Sequence, residues 1–450
     1  MGYYHGYIPA FLGHINVFMT FSSLLLYTSI FCGLYFQIFL LVTFFEAQQK
    51  EKTTEKRAGN KNLAADSKYA SLAALPTVSM IVPCWNESKT VENTLISLLN
   101  LDYPKEKLSV LVVDDGSKDD TYAVATAAAA RLNKQEGLAR IEVVTQKNGG
   151  KYTALNCGIA IAQTKGTQFI GCLDADSFVD KHALARMIPY FNNPEIIAVT
   201  PAMRVHEPKN ILQYIQRAEY NVGIFTKRVF GMLNSIYVTP GPFSIFRTSV
   251  FKEIGVFKEA HNTEDMEIAF RIQSFGHRIA NCHNAFVYTK TPDTIKKLHK
   301  QRTRWTYGFL KNAIDYKHIF FNKKYGHMGG FVLPAAIVGL ALSLAIAADF
   351  IYHIGNSIAT TIQKISIVGW TAPHFTFNWF FINTETTTLL AIVLLAITVT
   401  IVSLGKFIAE GTAKPSRDML YFIVFYGFLA PLWLSKAVYN VALSKKTPWR

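Results

Sequence analysis

The feature that most constrains this chain is a long apolar stretch near its N-terminus. Between Ile8 and Phe45 there is no Lys, Arg, Asp or Glu, and a membrane-crossing helix needs only about 20 apolar residues. One long helix or two short ones would fit in residues 1–47. A cleavable signal peptide has an apolar part of roughly 7 to 15 residues behind a charged segment. The stretch therefore predicts a permanent membrane anchor.

Further apolar runs lie in the last part of the chain. They cover residues 329–352, 387–404 and 420–443, and each approaches or exceeds the length of a crossing helix. We assign residues 329–450 to a C-terminal membrane region with three or more segments. A mixed aromatic stretch at 365–382 fits the membrane interface better than a full crossing.

The formal net charge of +15 lies largely at the edges of the apolar runs. Anionic lipids and the excess of Lys and Arg in cytoplasmic segments account for charge in these places. No groove-reading motif accompanies it, so we expect no nucleic-acid partner. The basic segment QQKEKTTEKR after the first anchor predicts that residues from Gln48 onward are cytoplasmic. The expectation is a multi-pass protein of the cell membrane.

The charges near the C-terminus point in two directions. Lys406, Lys414 and Arg417 predict that one loop is cytoplasmic, and the basic residues in 445–450 predict the same for the end of the chain. A single crossing helix between the two groups cannot satisfy both. A re-entrant or interfacial segment would resolve the conflict, and the sequence leaves the side of the C-terminus open.

Residues 48–75 are polar, rich in Ala and aperiodic, which is typical of a linker. In residues 76–294, short β-branched runs alternate with helix-like segments. The runs are TVSMIVP, LSVLVVDD, IEVVTQ and TQFIGCLDAD. Alternation of this kind predicts an α/β domain with a parallel sheet wrapped by helices. The five cysteines are scattered without CxxC spacing, which fits reduced thiols in a cytosolic domain.

Polar side chains follow three of these four strands, at the edge where parallel sheets bind ligands. Asn86 and Glu87 follow the first strand, Asp115 ends the second, and the DADS segment ends the fourth. Asp115 could accept a hydrogen bond from a nucleobase or ribose, or it could cap a helix. There is no GxGxxG or GxxxxGK[ST] motif, so dinucleotide and P-loop sites lose their main support.

Asp174 and Asp176 of DADS are two residues apart, so an extended backbone would project both carboxylates to one side. Such a pair can hold Mg²⁺ or Mn²⁺ through a diphosphate, although a solvated turn would also use these residues. Lys151 begins a helix after a Gly-containing loop, which is typical of an anion site and also of a plain surface lysine.

The segment NTEDMEIAFRIQSF predicts an amphipathic helix with Ile268, Ile272 and Phe275 facing inward. Glu264 and Asp265 lie in its first turn. Acidic residues are favourable there because of the helix dipole, whatever their function. A carboxylate at this place could also act as a general base.

Residues 295–328 predict amphipathic helices beside the membrane, with the motif QRTRW at 301–305. Helical spacing puts Gln301, Arg304 and Trp305 on one face and Arg302 on another. The first face offers a guanidinium for phosphate oxygens and an indole on which a sugar ring could stack. An interfacial anchor with its lysines toward lipid headgroups is the alternative, and both can hold for different faces.

Taken in order, these motifs form a specific pattern. The order is VPCWNES, VVDDGS, NGGKYTALN, DADS, TPGPFSIFR, TED, QRTRW and then membrane spans. Over residues 76–310 the chain resembles the membrane-embedded, processive family 2 glycosyltransferases, which include cellulose, chitin, hyaluronan and poly-N-acetylglucosamine synthases. The resemblance implies a GT-A (Rossmann-like) cytosolic domain inserted between N-terminal and C-terminal transmembrane helices.

The resemblance also implies roles for the residues of the donor site. Pro83, Trp85 and Glu87 would line the nucleoside pocket, and Asp115 would meet the uracil. Asp174 would contact the nucleotide, and Asp176 would bind the Mg²⁺ or Mn²⁺ ion. The diphosphate would be held by three residues: Lys151, Gln301 and Arg304.

For catalysis and the acceptor, the resemblance implies a second set of residues. Glu264 and Asp265 would be the catalytic carboxylates, with Asp265 as the general base. Trp305 would stack under the terminal acceptor sugar, near the loop with Gly241 and Pro242. TED is closer to the cellulose and poly-N-acetylglucosamine branches, whereas TPGPFS is closer to the hyaluronan and chitin side.

The expected function is a metal-dependent, inverting transfer from a UDP-sugar, UDP-N-acetylglucosamine or UDP-glucose, to a growing β-linked polysaccharide. The active site would face the cytoplasm, and the polymer would pass across the bilayer. One alternative is a non-processive enzyme that adds one sugar to a membrane lipid, as ceramide glucosyltransferases do. Another is a transporter or nucleotide sensor, which needs no base. The sugar, the linkage, the primer and the oligomeric state stay open.

Overall fold

The computed structural model describes residues 9–57, 75–135, 140–370 and 385–445. Most of the predicted linker at 48–75 and most of the aromatic stretch at 365–382 fall outside these ranges, as do the last five residues. Within the described ranges the chain forms twelve α-helices and eight strands.

The strands lie between the N-terminal helix and the C-terminal helices. They are β1 (Val78–Cys84), β2 (Leu108–Asp114), β3 (Arg140–Thr145), β4 (Phe169–Cys172), β5 (Ser177–Val179), β6 (Ile196–Val205), β7 (Ile245–Arg247) and β8 (Arg278–Thr289). The helices are α1 (Pro9–Arg57), α2 (Val91–Leu99), α3 (Thr121–Leu132), α4 (Lys151–Thr164), α5 (Ala183–Met187), α6 (Ile211–Met232), α7 (Val250–Glu253), α8 (Glu264–Ser274), α9 (Ile295–Asp315), α10 (Leu333–Val368), α11 (Thr386–Glu410) and α12 (Arg417–Ala442).

The strands form one mixed sheet in the order β3-β2-β1-β4-β7-β6-β8-β5. The four strands predicted from the sequence pair in parallel, with β1 between β2 and β4 and with β3 outside β2. β7 joins this half to β6 through antiparallel pairing on both sides. β1 and β2 are almost wholly buried, as expected for parallel strands with helices on both faces.

Four of the described helices are long and apolar enough to cross a membrane. The first such segment, Phe21–Gln49, lies within the single helix α1, which continues to Arg57. One long helix, rather than two short ones, therefore forms the N-terminal segment, and the first part of the predicted linker is helical. The other three segments are Met328–Val368, Thr386–Glu410 and Arg417–Ala442.

Two amphipathic helices, α6 and α9, lie between the sheet domain and the membrane-length helices. On α6, the Asn221 side-chain amide donates to Glu410 at 3.2 Å, and Arg217 forms an ion pair with Asp418 at 3.1 Å. His299 of α9 contacts the carbonyl oxygen of Leu432 in α12 at 3.2 Å. The loop between α11 and α12, which carries Lys414, thus lies on the side of the sheet domain.

The sheet domain and the membrane-length helices share a hydrophobic core. Leu40 and Phe44 of α1 belong to the same buried cluster as Ile81 of β1 and Leu111 of β2. The ring of Phe44 lies 5.2 Å from the ring of Phe225 in α6. The N-terminal helix is therefore packed into the domain and is more than a tether.

Candidate active site

The polar segments predicted at the strand ends meet at one edge of the sheet. β1, β2 and β4 are parallel, so their carboxyl ends lie side by side. The first turns of α4 and α8 and the loop before β7 reach the same edge. Helix α9 closes it from the membrane side.

Lys151 lies at the centre of this edge. Its ammonium is 2.5 Å from Asp174 Oδ1 and 3.5 Å from Glu264 Oε1. Burial by itself would lower the pKa of Lys151, but the two carboxylates outweigh it, and the pKa lies above its ordinary value. The lysine therefore stays charged and joins the β4 end to the first turn of α8.

The loop before β7 approaches this ion pair through its backbone. A Cβ atom at Gly241 would lie 2.5 Å from Lys151 Nζ and 3.1 Å from Asp174 Oδ1, so a larger residue does not fit without displacement. Pro242 beside it is buried. The amide of Thr239 donates to the backbone carbonyl of Asp265 at 3.0 Å. The loop is thereby tied to the catalytic candidates predicted on α8.

Asp115 organises the loop that precedes Lys151. Its Oδ1 accepts from the Gly149 amide at 3.0 Å and from the Gln146 side chain at 2.7 Å, and its Oδ2 accepts from the Gly150 amide at 2.8 Å. The carboxylate thus orders the loop before α4, whereas the N-cap residue of the following helix α3 is Asp120 and not Asp115. Oδ2 accepts this one bond within the described part of the chain, which leaves room for a second donor.

The residues predicted to line the nucleoside pocket lie at a sharp turn after β1. Asn86 has a positive φ of 58°, which separates the half-buried Trp85 from Glu87. Glu87 Oε2 accepts from the Thr90 hydroxyl at 3.0 Å. Pro83 lies within β1 just before this turn. These residues form the wall of the site next to β2.

Asp176 has the features of a divalent-metal ligand. Burial raises its pKa to about 6, and the carboxylates of Asp174 and Glu87 add to the shift. Among the residues that the structure describes, no three His, Cys, Asp or Glu side chains converge as a complete metal site. Mg²⁺ is commonly held by one or two carboxylates together with substrate phosphates. Asp174 and Asp176 fit that arrangement.

Asp265 has the features of a general base. Burial raises its pKa to about 6, and the adjacent Glu264 adds to the shift. Its Oδ1 accepts from the Met266 amide at 3.0 Å. The charges of Lys151 and Arg304 act in the opposite direction and favour the ionised form. A carboxylate with a pKa near neutrality is suited to remove a proton in the operating pH range.

A left-handed turn leads into helix α8, which carries Asp265. Ala260, His261 and Asn262 have positive φ angles of 42°, 56° and 62°, a conformation that costs about 1–2 kcal/mol per non-glycine residue. His261 Nε2 contacts the Asp315 carboxylate at 2.8 Å, and the Arg304 guanidinium donates to the Asn262 carbonyl at 3.2 Å. Contacts with α9 therefore hold the segment that positions Asp265.

Helix α9 crosses the first turn of α8 at very short range. A Cβ atom at Gly308 would overlap the Thr263 hydroxyl, so only glycine permits this approach. Asn312 donates to the same hydroxyl at 3.0 Å. The crossing brings Arg304 close to the segment that leads to Asp265.

Arg302 is the residue of the QRTRW motif that sequence reasoning assigned to a different face and to no role. It is buried, and its guanidinium donates to Glu219 of α6 at 2.7 Å. The same guanidinium lies over the Trp305 ring, 4.4 Å from the centroid. One face of the indole is thus covered by protein. Gln301 Oε1 is buried without a hydrogen-bond partner in the described residues.

The prediction that Phe275 faces inward is wrong. Ile268 and Ile272 are fully buried, whereas the Phe275 side chain is 53% exposed. Helix α8 ends at Ser274, so the helical spacing no longer applies at the next residue. The inward face of α8 is correspondingly shorter than the sequence indicated.

Comparison with known proteins agrees with this geometry. Residues 76–308 match the glycosyltransferase-like family 2. A mannosyltransferase from Pyrobaculum calidifontis, solved in complex with GDP-Man and Mn²⁺, has a TM-score of 0.55 and 18% identity. The alignment covers 91% of this chain and 98% of that one. The fold is GT-A, flanked by membrane-length helices, and the predicted fold class is confirmed.

The chain belongs to glycosyltransferase family 2. It is 31% identical over 289 residues to a poly-β-1,6-N-acetyl-D-glucosamine synthase of Staphylococcus epidermidis, covering 64% of this chain and 65% of that protein. The synthase of Staphylococcus aureus strain COL is 30% identical over 293 residues, which are 64% of this chain and 66% of that protein. The match thus spans less than two thirds of these relatives. It supports a family 2 polysaccharide synthase.

Proposed function

We propose that this chain is a processive, inverting glycosyltransferase that polymerises UDP-N-acetylglucosamine into a β-linked polysaccharide and passes it across the membrane. The observation that carries the proposal is the convergence of Lys151, Asp174 and Asp265 under helix α9, beside the membrane-length helices. The names of the relatives favour N-acetylglucosamine over glucose as the donor sugar.

Each residue of the centre has a task in this transfer. Asp265 accepts the proton of the acceptor hydroxyl, whose oxygen forms the new bond to the anomeric carbon from the side opposite UDP. The bond between the anomeric carbon and the diphosphate breaks, and UDP leaves with its electron pair. Lys151 and Arg304 stabilise the charge that grows on the diphosphate. A divalent ion held by Asp176 and the diphosphate would neutralise part of the same charge.

Lys151 must also exchange partners when the donor binds. Without donor, its ammonium is compensated by Asp174 and Glu264. A diphosphate carries more charge than either carboxylate and would draw the ammonium toward itself, while Asp174 turns toward the nucleotide. The ion pair thus keeps the lysine charged and in position before the substrate arrives.

The proposed orientation has the active site in the cytoplasm, where UDP-sugars are made. The basic segment after α1 and the loop with Lys414 support this side. The acceptor end of the polymer would then lie beside the bilayer.

The deciding experiment uses the full chain, purified and reconstituted in lipid. UDP release is measured with a panel of UDP-sugars and with Mg²⁺ or Mn²⁺, and any product is sized and digested with linkage-specific glycosidases. We expect release with UDP-N-acetylglucosamine and a long product. A product no larger than a glycosylated lipid would overturn the processive proposal, and no UDP release with any donor would overturn the transferase proposal.

A further inference from the structure

Helix α6 presents a polar face that none of the motifs in the sequence indicated. Tyr220, Gly223 and Lys227 follow one another at spacings of three and four residues, so they lie on one face of the helix. The opposite part of α6 is apolar and packs in the core, with Phe225 and Val229 buried.

This face lies near the active site, because the adjacent Glu219 accepts a hydrogen bond from Arg302 of the QRTRW motif at 2.7 Å. The charges that act on Tyr220 are those of Arg302, Glu219 and Asp176, and the charge that acts on Lys227 is that of Asp265. The face therefore extends from the candidate metal ligand to the candidate base.

The middle of the face is open. A Cβ atom built on Gly223 would meet no other atom within 4 Å, whereas one at Gly241 would overlap the Lys151 ammonium. Tyr220 and Lys227 rise on either side of this gap, two helical turns apart. Such a gap between an aromatic ring and a cation has the form of a sugar-binding surface.

Lys227 has no hydrogen bond or ion pair with any residue that the structure describes. Burial lowers its pKa to about 8, and the charge of Asp265 acts in the opposite direction. The other cations of α6 have defined neighbours, since Arg217 pairs with Asp418 and Arg228 lies over the Phe44 ring. The Lys227 side chain is half-buried, so its ammonium can donate hydrogen bonds to a ligand that enters the gap beside Gly223.

We propose that the face of α6 with Tyr220, Gly223 and Lys227 binds the terminal sugar of the acceptor, and that Lys227 holds the nucleophilic hydroxyl for Asp265. This inference rests on the proposed function. The hydroxyl oxygen accepts a hydrogen bond from the Lys227 ammonium and donates its proton to the Asp265 carboxylate. When the oxygen bonds to the anomeric carbon, the proton passes to Asp265 and UDP leaves with the electron pair, so charge and atoms balance.

The test variant is Lys227→Met, which keeps the length of the side chain and removes its three donors. The reconstituted full chain is assayed with UDP-N-acetylglucosamine and a soluble N-acetylglucosamine oligosaccharide. We expect the KM for the oligosaccharide to rise roughly 10- to 100-fold, the loss of one hydrogen bond from a charged donor. The Kd for UDP should stay within about twofold of the wild-type value. The midpoint of thermal unfolding should equal that of the wild type within measurement error.

Two further variants separate acceptor binding from folding. Gly223→Leu fills the gap without altering charge and should raise the KM for the oligosaccharide. The variant should fold, because a Cβ at this position meets no other atom within 4 Å. Arg228→Met, the matched control on the next residue, should leave the KM unchanged. Lys227→Arg, which restores donors, should recover part of the acceptor affinity.

The outcomes are distinct. An unchanged acceptor KM in Lys227→Met, or an equal loss of UDP affinity, would overturn the assignment of this face to the acceptor. A wild-type enzyme that releases no UDP with any donor would overturn the proposed function itself. A wild-type enzyme with only single-sugar products still allows the acceptor KM to be compared among the variants.

Discussion

The two halves of the active site differ in how their polar groups are satisfied. On the side of the strand ends, Asp115 accepts three hydrogen bonds from its own loop, and Lys151 is paired with two carboxylates. On the side of α6 and α9, Gln301 Oε1 and the Lys227 ammonium have no partners in the described residues. The charged groups named for the first half are paired without substrate, although Asp114 Oδ1 at the end of β2 is buried without a partner in the described residues. The two groups named for the second half are unpaired in the part of the chain that the structure describes.

The difference indicates which half changes most when substrate binds. Buried polar groups without partners are costly, so a ligand that supplies the missing atoms gains affinity from them. Groups that are already paired gain less, but they hold a fixed geometry for charge stabilisation.

Replacement of Asp265 by Asn should have the largest effect. The amide keeps the shape of the side chain but cannot accept the proton, so the transfer rate should fall roughly 100- to 10,000-fold. UDP affinity should change little, because Lys151 and Asp174 remain. Initial rates and calorimetric UDP titration measure the two quantities. Retained sugar transfer in this variant would show that Asp265 is not the general base.

Gly241→Ala tests the rigid half. Its methyl carbon would lie 2.5 Å from Lys151 Nζ, so the ammonium at the end of this flexible side chain would have to move from its position beside Asp174. We expect UDP affinity and transfer to fall together by about tenfold or more. Gly427→Ala is the control, because a Cβ there meets nothing within 4 Å. Unchanged UDP affinity in the Gly241 variant would mean that this half adapts to its ligand.

Trp305→Ala tests the unsatisfied half. One face of the indole is covered by Arg302, 4.4 Å away, and the acceptor sugar is expected on the other. Product length should shorten and acceptor affinity should fall by roughly tenfold, the value of a good aromatic contact. UDP binding should be nearly unaffected. Equal losses of acceptor and UDP affinity would indicate that Trp305 only anchors the helix.

The smallest predicted effect is that of pH. Burial raises the pKa of Asp265 to about 6, and a general base works only when deprotonated. Transfer should therefore be constant above this pKa, reach half of its plateau at about pH 6 and decline further below. A profile of kcat/KM from acidic to neutral pH tests this. An equal profile for the residual activity of Asp265→Asn would assign the titration to another group.

The sequence predicted the rigid half better than the unsatisfied one. Strand ends and helix starts are local features, so Asp174, Asp176 and Lys151 could be recognised from their immediate neighbours. The place of Arg302 depends on Glu219, which lies 83 residues earlier in the chain. Lys227 belongs to no motif, and only the packing of α6 over the sheet edge brings it near Asp265.

The same reasoning explains the error at Phe275 and the uncertainty at the membrane. Helical periodicity has no information about where a helix stops, and α8 stops one residue before Phe275. Apolar length predicted the membrane segments, but it could not distinguish one continuous α1 from two helices. The structure shows a single helix from Pro9 to Arg57.

The shared core of α1 and the sheet has a mechanical consequence. A helix that contributes Leu40 and Phe44 to the packing around Ile81 and Leu111 cannot change its tilt without straining β1 and β2. Helix tilt responds to the thickness of the surrounding bilayer, at a cost of fractions of a kcal/mol per ångström of mismatch. The length of the lipid acyl chains is therefore expected to alter catalysis through elastic strain, with no lipid bound at the active site.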